Sequence, residues 1–390
     1  MKPFNKNILL FVLVLLFLAC GICRGYIDPL KKEVGKLLEG ICCREQDSFS
    51  CFVAHADELS AKNLRYHDGM LDIDSVKKNL LGTRVAIKEG TAVIKAESGN
   101  LFKPAQGVYP EEITIYVNEA RQIQSLAAKY DAKFLCCIAP EAGCYETAPE
   151  NIQNHSKERL EAIVEGMSSQ GIPCLDFNRV FQEQGLTEKE LFFCTDPHWK
   201  PATGFEAYRA ICKELHERYG FSIQEEYTRM EHFHVETYKK WFLGAYGKKT
   251  GRFFTWKGAD DFDVIMPDFP TNFNETVSGR DQIRRGAFEE TMLYKEFLKK
   301  DYYHVSNYRT YSGGDKHLQI IQNLLNPDGE TVLVVRNSFA CVVTPFLALQ
   351  TKELHVIDNR NESYVEGEAV DLESYIRTCR PDYVLILKVY

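Results

Sequence analysis

Positive charge is what this chain holds too little of. Its 47 Lys and Arg stand against 55 Asp and Glu, a formal net charge of −8 with a pI near 5.8. Gripping nucleic acid requires clustered cations against phosphate, so DNA and RNA are excluded as partners. Metal-binding spacing is also lacking. The adjacent pairs Cys42-Cys43 and Cys136-Cys137 are not CxxC sites, and His232-Phe233-His234 has no acidic or Cys ligand at zinc spacing. No metal or other cofactor is expected. The apolar run Ile8 to Cys23, broken only by Gly21, is shorter than the ~20 residues of a free-standing bilayer span and longer than the ~7–15 of a signal-peptide core.

What is present is a globular body behind a targeting segment. With 45% hydrophobic and 26% charged residues, the chain has enough apolar surface to fold rather than stay disordered. Lys2 and Lys6 precede the apolar run and Arg24 follows it, so residues 1–25 read as a signal peptide or membrane anchor. Phe17-Leu18-Ala19-Cys20-Gly21 matches a lipoprotein box only loosely, and Cys20 is read as part of an apolar helix. The body is expected outside the cytoplasm, anchored or secreted. Of thirteen cysteines, eleven remain after Cys20 and Cys23, so at least one is free. Cys42, Cys43 and Cys51 are the expected disulfide partners, and Cys136 and Cys137, in an apolar run, are expected as core thiols.

Residues 26–70 read as a short helix and a cysteine-bearing loop. From residue 83 onward the periodicity organises the chain. Residues 83–96 alternate around Glu89-Gly90 as a hairpin. Tyr109-Pro110-Glu111-Glu112 opens a helix to about Tyr130, with Pro at the first position and acids at the positive end. A strand at 133–139, a helix at 156–169, a strand at 172–177 and a helix from Ala202 to Tyr219, closed by Gly220, follow. That alternation implies a parallel sheet with right-handed crossovers. Residues 221–307 lose the pattern and read as an inserted, partly β region. A helix from Gly313-Gly314-Asp315 to Leu325, strands at 332–335, 354–357 and 383–389, and helices at 346–350 and 372–377 rebuild the sheet.

Two stretches carry chemistry. Asp196-Pro197-His198-Trp199 places a carboxylate beside an imidazole, a pairing that fixes the tautomer and stabilises the imidazolium of a general base. Pro197 keeps Asp196 out of helical conformation. Arg336-Asn337-Ser338-Phe339 follows a strand and precedes a helical run, where an α/β fold presents side chains and N–H groups to a ligand. Ser338 there is a candidate nucleophile, or simply a helix cap.

These stretches resemble the DHHW group of SGNH-hydrolase-like proteins, related to the alginate O-acetyltransferases of the AlgX and AlgJ type. The resemblance runs from about Leu71 to the C-terminus. It rests on Asp196, His198, Trp199, Gly204 and Phe205; on Phe242 to Gly247, Gly251 and Asp260-Asp261; and on Ser338-Phe339, Pro345-Phe346-Leu347 and Ile357 to Arg360. It implies an SGNH-hydrolase-like α/β domain over residues 71–390, a parallel sheet flanked by helices with the insertion at about 221–307. It also implies a triad of Ser338 as nucleophile, His198 as base and Asp196 as orienter. Asn337, Arg360 and Trp199 become candidates for substrate binding or the oxyanion, with Arg360 also able to hold a structural carboxylate such as Asp358. The family's nucleophile block usually reads Gly-Asp-Ser, so Arg336-Asn337 is a departure that removes a negative charge.

The implied activity is transfer of an acetyl group to a hydroxyl of an extracellular glycan through acyl-Ser338, the acetyl being delivered by a membrane-bound O-acyltransferase, and the implied place is a bacterial cell envelope. Water as acceptor would make the same triad a carbohydrate acetylesterase. A catalytically weak glycan-binding or assembly protein is the third expectation, drawn from the Asn337 departure and from Trp241, Tyr246, Trp256 and Tyr302-Tyr303 in the insertion.

Overall fold

A computed structural model describes residues 67–88, 90–280, 283–360 and 368–390. The targeting segment, the helix and cysteine loop expected before residue 60, and Cys42, Cys43 and Cys51 lie outside the described residues. Two compact units divide the chain at Lys78, and a helix, His67–Leu80, runs across that boundary. Among the described residues no helix is long and apolar enough to cross a membrane.

Residues 79–390 are built on an eight-stranded sheet. Its core is parallel: β4 (Lys133–Ile138) pairs with β5 (Cys174–Asp176) on one side and β13 (Tyr383–Lys388) on the other, and β11 (Thr331–Arg336) lies between β13 and β12 (Glu353–Ile357). Beyond β12 the sheet turns antiparallel through β10 (Leu318–Asn323), β8 (Phe273–Val277) and β9 (Arg284–Gly286). β11 reads Val-Leu-Val-Val, and every one of those residues is buried, the run expected of a strand covered on both faces. Leu333, Val335, Cys136 and Ile386 face one core with the helices Pro110–Lys129, Ser156–Ser169 and Leu372–Cys379; Val332, Val334, Cys137 and Leu385 face the other with the helix Pro201–Tyr219. A mixed α/β architecture with a mostly parallel central sheet is the result.

The helix boundaries follow local chemistry. Pro110 and Pro201 open their helices at a position whose N–H has no intrahelical partner. Gly220 closes the second in the left-handed region at φ 75°. The expected hairpin is β1 (Val85–Lys88) and β2 (Thr91–Lys95), joined by Gly90 at φ 73°, with β3 (Leu101–Phe102) beside β2.

Three expectations change. The helix expected over 315–325 is the strand β10. Gly313 and Gly314 take positive φ, 67° and 93°, and form a turn instead of a helix start. In β10 Gln319, Ile321 and Asn323 alternate as buried residues between β8 and β12, so the period is two rather than 3.6. The insertion is only partly separate: β6 (Phe233–Phe242) and β7 (Asp260–Pro267) form their own antiparallel pair, while β8 and β9 extend the main sheet. The helix expected over 346–350 is a single turn at Thr344–Leu347.

Candidate active site

The C-terminal end of β11 delivers Ser338. Asn337 sits just before a 3-10 turn, Ser338–Val342; its Oδ1 accepts from the Phe339 N–H at 3.3 Å, and its Nδ2 donates to the Val389 carbonyl at 2.8 Å, past the end of β13. Ser338 is thereby lifted off the strand with its side chain half-buried. Its N–H has no hydrogen-bond acceptor among the described residues.

His198 and Asp196 arrive on the loop that closes with a Phe192–Trp199 bridge before the Pro201–Tyr219 helix. His198 Nε2 is 2.8 Å from Ser338 Oγ, and its Nδ1 is 2.5 Å from Asp196 Oδ1. Asp196 Oδ1 also accepts from the His198 N–H at 3.1 Å and Oδ2 from the Ala245 N–H at 2.7 Å. Burial alone would push this carboxyl up; the His198 charge and the hydrogen bonds from His198 and Ala245 outweigh it and hold the group below the usual carboxylate range.

The insertion holds this loop in place. Asp260, at the start of β7, accepts from the N–H groups of Cys194 and Thr195 at 2.8 and 2.9 Å and from Thr195 Oγ1 at 2.6 Å. Thr195 Oγ1 in turn accepts from the Gly244 N–H at 2.9 Å. A Cβ at Gly244 would lie 2.2 Å from the Asp196 Cβ and 2.6 Å from its Cα, so this approach requires glycine. The Gly-rich turn and the acidic pair thus act on the Asp196 loop through Gly244, Ala245 and Asp260, a role their spacing does not announce.

The other candidates are placed differently. Trp199 does not face a ligand: it is fully buried, packs edge-on against Phe177 and Phe181, and its indole N–H donates to the Phe339 carbonyl at 2.7 Å. It ties the loop of His198 to the turn of Ser338. Asn337 uses its side chain on Phe339 and Val389 and so serves as a cap. Arg360 binds structural carboxylates: Nε and Nη2 reach Asp358 at 2.9 and 2.6 Å, and Nη2 reaches Asp315 at 2.9 Å. Arg336, 1% exposed, completes that network with Asp315 at 2.5 Å and Asp358 at 3.6 Å. Burial opposes the charge on Asp315, and the two arginines outweigh it and hold its carboxyl low. Where the resembled family has Gly-Asp, this chain has a buried cation neutralised from the neighbouring turn and strand.

Among the insertion's aromatics Trp256 is 65% exposed, whereas Trp241, Tyr246, Tyr302 and Tyr303 are half-buried. His232 and His234 flank the buried Phe233 and are exposed; no group of three metal-ligating side chains occurs among the described residues. A groove of about 700 Å³ between the helices Phe177–Glu183 and Pro201–Tyr219 contains no triad member. Arg179 and Arg209 on its rim pair with Glu183 and Glu206 of their own helices. Sequence reasoning missed Tyr308, whose ring stacks on His198. No local signal marks it.

Residues 119–241 match the family model described as the SGNH hydrolase-like domain of the acetyltransferase AlgX. No curated protein is matched. Solved structures with the same fold include a DHHW family protein from Eubacterium siraeum, 16% identical, with a TM-score of 0.57 over 78% of this chain and 92% of that one. Bacillus cereus PatB1, solved with a sulfonyl adduct, is 16% identical with a TM-score of 0.61 over 78% of this chain and 95% of that one.

Proposed function

From an SGNH hydrolase-like domain of the kind found in the acetyltransferase AlgX, we propose that this protein is a serine-dependent O-acetyltransferase working through acyl-Ser338. The observation that carries the reading is the pair of contacts on one imidazole, 2.5 Å to Asp196 two residues before it and 2.8 Å to Ser338, 140 residues further along the chain. Ser338 Oγ attacks the carbonyl carbon of an acetyl donor while His198 Nε2 takes its proton. The oxyanion is met by the Ser338 N–H. The donor's leaving group departs with the proton from His198, and acetyl-Ser338 remains. A glycan hydroxyl then attacks, His198 takes that proton, the C–O bond to Ser338 breaks, and the proton returns to Oγ. General-base help of this kind supplies about 10²- to 10⁴-fold.

The acceptor on this reading is an extracellular glycan, and the donor is charged by a membrane-bound O-acyltransferase at the bacterial envelope, where the N-terminal segment secretes or anchors the body. With water in place of the glycan hydroxyl the same steps give an acetylesterase.

The test is peptide mass spectrometry after incubation with an activated acetyl ester, and in parallel with a sulfonyl fluoride, the type of probe suggested by the adduct in PatB1. Acetyl and sulfonyl groups on Ser338, lost in Ser338→Ala and reduced at least a hundredfold in rate in His198→Ala (order of magnitude from general-base losses), are expected. Absence of both adducts from the wild type would overturn the reading. Acetate release without a glycan acceptor, with the adduct present, would assign the esterase.

A further inference from the structure

His198 is held at its ring edge by Asp196 and Ser338, and its ring face is also occupied. Tyr308, in the 3-10 turn Asn307–Thr310, lies ring to ring with the imidazole, the centroids 4.3 Å and the planes 21° apart. Phe339 touches the same ring at 5.1 Å, tilted by 46°. Tyr308 is buried, 5% exposed, and its hydroxyl donates to the Phe339 carbonyl at 3.4 Å. That carbonyl also receives the Trp199 indole N–H. One acceptor, on the residue after Ser338, therefore anchors both the residue after His198 and the ring that covers His198.

We propose that Tyr308 is a positioning residue for the base, and the proposal rests on the triad reading above. Two hydrogen bonds at the edge fix where the nitrogens point; a stacked ring fixes the tilt of the plane between them. The aromatic face also favours the positive charge that the imidazole gains when Ser338 gives up its proton. The groups facing His198 are Asp196 on its own loop, the Ser338 hydroxyl and the Phe339 ring on the 3-10 turn, and the Tyr308 phenol, with Lys248 of the insertion close enough to interact with the Asp196 charge. The next charges near Tyr308, Asp315 and Arg336, are paired with each other. The stacked face is thus a neutral, polarisable support for the cation, distinct from the charge of Asp196.

Full-length Tyr308→Phe, Tyr308→Leu and Tyr308→Met are compared with the wild type, each checked for native circular dichroism. Serine acetylation by an activated ester is followed against pH, and the His198 ring protons are followed by NMR. Phe keeps the ring, so its rate is expected within about threefold of wild type with the same pH profile. Leu and Met remove the ring, so the rate falls about tenfold, an order-of-magnitude figure for a lost cation–π contact. The pH profile departs from that of the wild type, and the ring-current displacement of the His198 protons disappears. A folded Leu or Met variant with the wild-type rate, profile and ring shifts would overturn the proposal. A wild type that never acetylates Ser338 sinks the triad reading instead, and the NMR titration then decides the stacking by itself.

Discussion

Asp196 commits both carboxylate oxygens to its own fold, Oδ1 to His198 and Oδ2 to the Ala245 N–H. Because its folded carboxyl titrates below the unfolded value of about 3.9, its stabilisation is complete above that value and is lost as pH falls through the folded one. Asp196→Asn preserves shape but turns an amide toward groups that donate. Its unfolding free energy is expected to lie about 1–3 kcal/mol below wild type near neutral pH, the cost of an unsatisfied buried donor. Urea titrations of both proteins from about pH 6 down to about pH 3 should show this gap narrowing below about pH 4. A gap independent of pH would show that the carboxylate's charge contributes nothing. The contact of Asp196 with His198 was legible in the sequence because the two share one loop two residues apart, and the placement of Ser338 because it follows a buried strand. Tyr308 and Gly244 were not, since each meets the site across a long sequence separation and neither type is unusual where it stands.

At the scale of elements, the parallel strands were readable and β10 was not. Val332 to Val335 is apolar at every position, a pattern only a doubly covered strand needs. Leu318 to Asn323 mixes Gln and Asn with Leu and Ile, and its buried Gln319 donates its Nε2 to the Glu275 carboxylate at 2.5 Å. A polar residue on the inward face breaks the alternation by which a strand is recognised. The end of β11 shows a related compensation. Arg336 lies fully inside, so Asp315 from the preceding turn and Asp358 from the end of β12 must accompany it, and Arg360 gives them a second cation. Arg336→Met removes the buried cation and leaves two carboxylates on one arginine. A loss of about 3–5 kcal/mol in urea unfolding is expected, the usual result of breaking a buried ion pair from one side. Met at 336 with unchanged stability would mean that Arg360 alone neutralises the pair and that Arg336 has no structural role beyond filling space.

Across residues 79–390, the decisive property is that the eight-stranded sheet separates the two large cores. Cys136 belongs to the core under the helices Pro110–Lys129 and Ser156–Ser169; Cys137, Cys212 and Cys341 belong to the opposite one. All four are free thiols and at most 1% exposed. Burial pushes the thiols of Cys136 and Cys341 up to about 12, so neither the thiolate nor access is available to an alkylating reagent in the native state. The four are therefore unequal only in which side of the sheet they report. Labelling with iodoacetamide at about pH 8, below the native thiol values but near the ordinary cysteine value, is expected to leave all four unmodified in native protein. With rising urea, all four should become reactive at one midpoint that coincides with loss of circular dichroism, because β11 and β13 contribute side chains to both cores and neither can open without the other. An earlier midpoint for Cys136 alone would instead make the helical layer over that face a separately opening unit. The Asp196–His198–Ser338 contacts would then rest on the more stable half, since Trp199, Tyr308 and Phe339 beside them belong to the core of the Pro201–Tyr219 helix.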